Sequence, residues 1–101
     1  MENDPRADNH MIVYRPWGSY TLLEEGYSYK IKRITVLPGK KLSYQFHFHR
    51  SEHWVVVKGT AQVTIEGLTL LVRSGESIFV ESGLKHRLEN PGKLVLEVLE
   101  I

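Results

Sequence analysis

Five histidines occur in the chain; His47, His49, His53 and His86 fall in its strand-rich part, and His10 lies near the start. Imidazole is both a common metal ligand and the side chain that exchanges a proton near neutral pH. On an extended segment side chains alternate between faces, so Gln45, His47 and His49 point the same way and bring an amide and two imidazoles together. Glu52 follows across a short Arg50-Ser51 turn and can return a carboxylate to that face. Cysteine is absent, which removes disulfides, thiolate zinc sites, iron–sulfur clusters and cysteine nucleophiles. A metal bound here must therefore be held by imidazole, carboxylate or amide. His53 is next to Glu52 and is expected to face away from it, in a structural role or at a subunit contact.

The elements that must position these residues read as short strands. Gly and Pro punctuate the chain so often that the longest stretch free of both runs from Lys40 to Lys58, which argues against long helices. Ala61, Val63 and Ile65 alternate with Gln62, Thr64 and Glu66, and after Glu66-Gly67 come Leu68, Leu70 and Val72, the pattern of a β-hairpin with one solvated side. Similar runs are expected as strands at Ser19 to Leu23, Tyr29 to Leu37, Leu42 to His47, Glu52 to Val57, Ser77 to Val80, His86 to Glu89 and Leu94 to Leu99. Turn signals separate them at Glu25-Gly26, Pro38-Gly39, Lys58-Gly59, Ser74-Gly75, Ser82-Gly83 and Pro91-Gly92. Eight or nine strands at this spacing predict a β-sandwich or barrel. Residues 1–11 are polar and without apolar periodicity and are expected to be a flexible N-terminal arm, with 12–101 as a single domain.

With 101 residues there is room for one core, and 42% hydrophobic and 25% charged residues are the proportions of an ordinary globular domain. Thirteen Lys and Arg against twelve Asp and Glu leave a net charge of +1, too balanced to predict a nucleic-acid or anionic-membrane partner. The longest aliphatic and aromatic run, Trp54 to Val57, is far too short to cross a bilayer. The N-terminus lacks the basic start and apolar stretch of a signal peptide, so a cytoplasmic location and a small-molecule partner are expected.

Spacing then points to a family. Gly39, Gln45, His47, Glu52 and Gly59 give G-x5-Q-x-H-x4-E-x6-G, and Gly75, Gly83, His86 and Asn90 give G-x5-x-x-G-x2-H-x3-N. These resemble the two cupin motifs, with Gln45 where the first has its first His and Glu81 where the second has Pro. The surrounding text, including Arg15-Pro16-Trp17-Gly18-Ser19-Tyr20, Arg50-Ser51-Glu52-His53-Trp54 and Lys85-His86-Arg87-Leu88-Glu89-Asn90-Pro91-Gly92, resembles type II phosphomannose isomerase. That domain is usually the C-terminal part of bifunctional mannose-1-phosphate guanylyltransferase/mannose-6-phosphate isomerase proteins.

The resemblance implies a small antiparallel double-stranded β-helix, a jelly-roll-like barrel of the cupin type. It also implies a divalent metal held by Gln45, His47, Glu52 and His86: Zn²⁺ first, with Mn²⁺, Co²⁺, Fe²⁺ or Ni²⁺ also compatible. The activity it implies is interconversion of mannose 6-phosphate and fructose 6-phosphate. His49, one alternation beyond His47, is then a candidate base, fifth ligand or rim residue, and Lys41 and Arg87 are the cations first expected to meet the sugar phosphate. The nucleotidyltransferase half and its phosphate loop are not in these residues, so guanylyl transfer is not expected of them. A homodimer is expected from the apolar area of Trp17, Phe46 and Phe48. Two rival readings are a non-catalytic sugar- or nucleotide-sugar-binding module and another metal cupin such as a dioxygenase.

Overall fold

The computed structural model describes residues 11–101. Its elements are nine strands: β1 (Ile12–Arg15), β2 (Gly18–Glu25), β3 (Lys30–Val36), β4 (Glu52–Lys58), β5 (Thr60–Ile65), β6 (Leu68–Arg73), β7 (Ser77–Val80), β8 (His86–Glu89) and β9 (Leu96–Glu100). The hairpin expected at Glu66-Gly67 is present, and both turn residues have positive φ, 47° and 84°, as a two-residue turn between twisted strands requires. Of the arm expected at 1–11, residues 1–10, with His10, lie outside the described residues; Met11 is exposed.

All pairings are antiparallel. One sheet has the order β1-β2-β3-β9-β4-β7 and the other β6-β5-β8, so that sequence-distant strands become neighbours in two facing layers. Alternation decides what lies between the layers. In β3, Lys32, Ile34 and Val36 stand opposite Glu100, Val98 and Leu96 of β9. The same β9 residues Glu100 and Val98 stand opposite Trp54 and Val56 of β4. From the smaller sheet, Ala61, Val63, Val72 and Leu88 close the core, joined by Leu42 and Val80. The inward rows are thus apolar over most of their length and end in a polar one, Lys32–Glu100–Trp54.

Residues 42–47 do not form the strand that alternation predicts. They approach β8 through two isolated bridges, Lys41↔Glu89 and Gln45↔His86, between which three residues on one side face two on the other. An extra residue of this kind breaks the ladder and re-aims the chain. The carbonyl of Leu42 accepts from Arg87 Nε at 2.9 Å, and that of His47 accepts from the amide of Gly83 at 2.6 Å. The chain then bends at Phe48-His49. Alternation therefore does not carry through to His49, which is exposed, whereas His47 is half-buried.

Candidate metal centre and cavity

Three elements from both sheets converge at one end of the core. Glu52 opens β4, His86 opens β8, and His47 comes from the irregular connection between β3 and β4. Glu52 and His86 are almost completely buried. His86 Nε2 stands 2.9 Å from Glu52 Oε1, and His47 Nε2 stands 3.6 Å from the same oxygen. Ligand atoms of the three residues all lie within 4.8 Å of one another.

The second nitrogen of His86, Nδ1, is 3.0 Å from the Leu84 carbonyl. A carbonyl only accepts, so Nδ1 carries the hydrogen, and in the neutral ring the Nε2 lone pair faces the Glu52 carboxylate. Neither Glu52 Oε1 nor His86 Nε2 has a hydrogen-bond partner of good geometry. Two buried acceptors aimed at each other are costly and call for a cation between them, a proton or a metal ion. Burial lowers the proton affinity of His86, but the Glu52 carboxylate and the Leu84 carbonyl outweigh it and raise the group above its ordinary value. Two imidazoles and a carboxylate are also a donor set suited to Zn²⁺ and its divalent neighbours. The residues present fit such an ion.

Burial pushes the Glu52 carboxyl up, but the facing His86 and a hydrogen bond shared with Glu100 hold it well below the usual carboxylate range. Glu100 takes the opposite shift: burial first, then the shared hydrogen bond and the Glu52 charge, push it up to about 7. Of the two, Glu100 is therefore the carboxyl that takes up a proton more readily. His47 is lowered, by burial first and then by the Arg50 guanidinium, whose Nη2 lies 3.1 Å from His47 Nε2.

His47, Arg50, His86 and Glu100 border a cavity of about 280 Å³, close to the ~300 Å³ lower bound for small-molecule sites. Its wall is apolar at Trp17, Ile34, Leu42 and Leu88, and its cations are Arg15, Lys32, Arg50 and Arg87. Aromatic faces hold three of them: Arg15 and Lys32 lie 5.5 Å and 5.1 Å from the centre of the Tyr20 ring, and Arg87 lies 4.7 Å from that of Tyr44. A second cavity of about 470 Å³ shares Lys32, Arg50 and Glu100 with the first and also reaches Glu52.

The structure thus brings together Gln45, His47, His86 and Arg87 around the first cavity, with Glu52 against His47 and His86. Gln45 is tied to His86 by reciprocal backbone hydrogen bonds of 2.8 Å and 3.0 Å. His49 and Lys41 are exposed and outside the cavity wall. His53 is exposed on the face away from Glu52, against Phe79 at a ring distance of 6.3 Å. Of the aromatics expected at a subunit contact, Phe46 and Phe48 are exposed and stack edge-to-face at 4.6 Å, while Trp17 packs on the core. Sequence reasoning missed Glu100, although the run Leu96, Val98, Glu100 carries its signal: a carboxylate at the inward position of a buried strand. Of the neighbouring cations Lys32 and Arg33, the register places Lys32 in the cavity row.

The family model described as mannose-6-phosphate isomerase C-terminal matches residues 2–101. Mannose-1-phosphate guanylyltransferase ManC of Salmonella typhimurium strain LT2 is 53% identical over 100 residues, covering 97% of this chain and 21% of its own length. Mannose-1-phosphate guanylyltransferase of Escherichia coli K12 is 54% identical over 92 residues, covering 91% of this chain and 19% of its own length. The chain therefore spans about a fifth of the length of these curated relatives. Among solved structures, the cupin domain of Drosophila melanogaster CENP-C matches 100% of this chain and 83% of its own with a TM-score of 0.82 at 14% identity. That likeness shows the fold, an all-β cupin domain.

Proposed function

We propose, since this chain belongs to the family of mannose-6-phosphate isomerase C-terminal domains, that it interconverts mannose 6-phosphate and fructose 6-phosphate, using a divalent metal ion held by His47, Glu52 and His86 with Gln45 beside them. The two relatives reported above are named as guanylyltransferases, and the matching part is about a fifth of their length. The isomerase reading therefore rests on the description of the family together with the site. The observation that carries it is the buried, facing pair Glu52 Oε1 and His86 Nε2, 2.9 Å apart, beside a cavity with four cationic side chains.

The substrate has two ends with different needs: a dianionic phosphate, and a carbonyl next to a hydroxyl-bearing carbon, between which a proton must move. A divalent ion held by His47, Glu52 and His86 would supply polarisation of oxygen and positive charge to offset that of the enediolate. The chain's own groups do the rest. Arg87 is held by its Nε–H to the Leu42 carbonyl and by the Tyr44 face, which leaves its terminal nitrogens for phosphate oxygens. Arg15 and Lys32, around Tyr20, give the same wall further positive charge. Trp17, Ile34 and Leu88 cover the sugar's carbon face and exclude water. Glu100, raised to about 7 and so in part ionised at neutral pH, lines the cavity and in its carboxylate form is our candidate to take the proton from one carbon and return it to the next, in preference to the exposed His49.

The test is a coupled assay of fructose 6-phosphate formation from mannose 6-phosphate. The zinc-loaded chain is expected to turn over, and EDTA to reduce the rate on the order of a hundredfold or more. Binding of mannose 6-phosphate without any metal-dependent turnover would replace this reading by that of a sugar-phosphate-binding module.

A further inference from the structure

The lone pair on His47 Nε2 has two claimants. A guanidinium has donors only, so in the 3.1 Å contact with Arg50 Nη2 the imidazole nitrogen is the acceptor. The same nitrogen is the one that faces Glu52 Oε1 at 3.6 Å, and His47 and Glu52 both belong to the candidate metal centre. A nitrogen lone pair serves one partner at a time. A metal ion coordinated there must displace the guanidinium, and two positive charges at that distance repel as well. Arg50 is exposed and lines both cavities, as does Lys32. The arginine therefore has open space into which to turn, with a second cation beside it.

We propose that Arg50 is a displaceable cation: it competes with the metal ion for His47 Nε2 and, once displaced, pairs with the anionic group of the ligand next to Lys32, so that metal and anion bind cooperatively. The inference rests on the metal-centre part of the function proposed above and on none of its isomerase chemistry. Coupling of this kind is reciprocal, so an anion that captures Arg50 tightens metal binding by the same factor. Arg50 is a positioning residue in this scheme, and a merely structural Arg50 would give the opposite sign.

Arg50→Met keeps the aliphatic stem and removes donors and charge at an exposed position. In calorimetric zinc titrations of the chelator-stripped chain, Arg50→Met is expected to bind zinc about tenfold more tightly than the parent. Equal or weaker zinc binding by the variant overturns the competition. The anion half is read in EDTA, with inorganic phosphate as the probe. There His47→Ala removes the acceptor that holds the guanidinium, and phosphate is expected to bind about fivefold more tightly than to the parent, a gain that His47→Ala/Arg50→Met loses. Phosphate affinity unchanged in His47→Ala, or a gain that survives the loss of Arg50, overturns the release. Neither titration involves sugar or turnover, so their failure is distinct from failure of the isomerase assay.

Discussion

Replacing His86 by alanine is expected to weaken zinc binding by at least about a hundredfold and to destabilise the zinc-free chain by about 3 kcal/mol. The first effect follows from the loss of one of three donors whose ligand atoms lie within 4.8 Å of one another. The second follows from what is left behind. The ring of His86 is almost fully buried, fixed by Nδ1–H to the Leu84 carbonyl and packed edge-on to Trp54 at 5.4 Å. Its Nε2 is the nearest counter-group to the Glu52 carboxylate. Alanine removes the counter-group and keeps the buried carboxylate, and breaking a buried pair from one side costs more than the pair contributes as a whole. A competition titration against a zinc chelator reads the first effect, and urea unfolding in EDTA reads the second. Zinc affinity within tenfold of the parent would remove His86 from the centre.

A comparable loss of stability, without direct loss of a metal donor, is expected at Asn90. Its side chain is buried and fully used: Nδ2 donates to the carbonyls of Val36 and Leu94, both at 2.8 Å, and Oδ1 accepts from the Gly92 amide at 3.0 Å. One amide thus ties the end of β3 to the turn that follows β8, just beyond the strand that carries His86. Asn90→Ala leaves these backbone groups unpaired and is expected to cost about 3 kcal/mol, or roughly 15 °C in Tm for a domain of this size. Asn90→Asp keeps the acceptor for Gly92 but turns a carboxylate oxygen toward two carbonyls, and is expected to cost at least as much at neutral pH. Thermal and urea unfolding of both variants measure this; a change below about 1 kcal/mol in Asn90→Ala would show that the network is dispensable.

Asn90 is also a measure of what the sequence made legible. Its place in the second motif was visible, and so were the strands Ser77–Val80 and His86–Glu89, because alternation and turn residues agree there. Glu52 and His86 could be brought together before any fold was known, since the motif resemblance carried both. The segment 42–47 could not be read correctly. Its alternation is regular, but its contact with β8 has one extra residue, and a bulge is a property of two strands rather than of one. His49 was assigned a direction by extending that same alternation past the point where the chain bends. Glu100 was lost at an element boundary: the last strand was read as ending at Leu99, which removed the one charged residue of its inward row. Alternation alone does not give the direction of Lys32, because Ile31 and Ile34 put apolar residues on both alternations of β3, and β2 shifts register opposite it, between Leu22 and Glu24.

The central claim is that this cavity moves a proton between two adjacent carbons of a sugar phosphate with a metal ion in the His47–Glu52–His86 centre. The measurement closest to that step is deuterium incorporation. Mannose 6-phosphate incubated in D2O with the zinc-loaded chain and followed by proton NMR is expected to gain deuterium at C2, and the fructose 6-phosphate formed to gain it at C1, while chelated chain and His86→Ala give neither. If both carbons stay fully protonated and no ketose forms with the zinc-loaded chain, or if label enters equally with His86→Ala, the claim is contradicted.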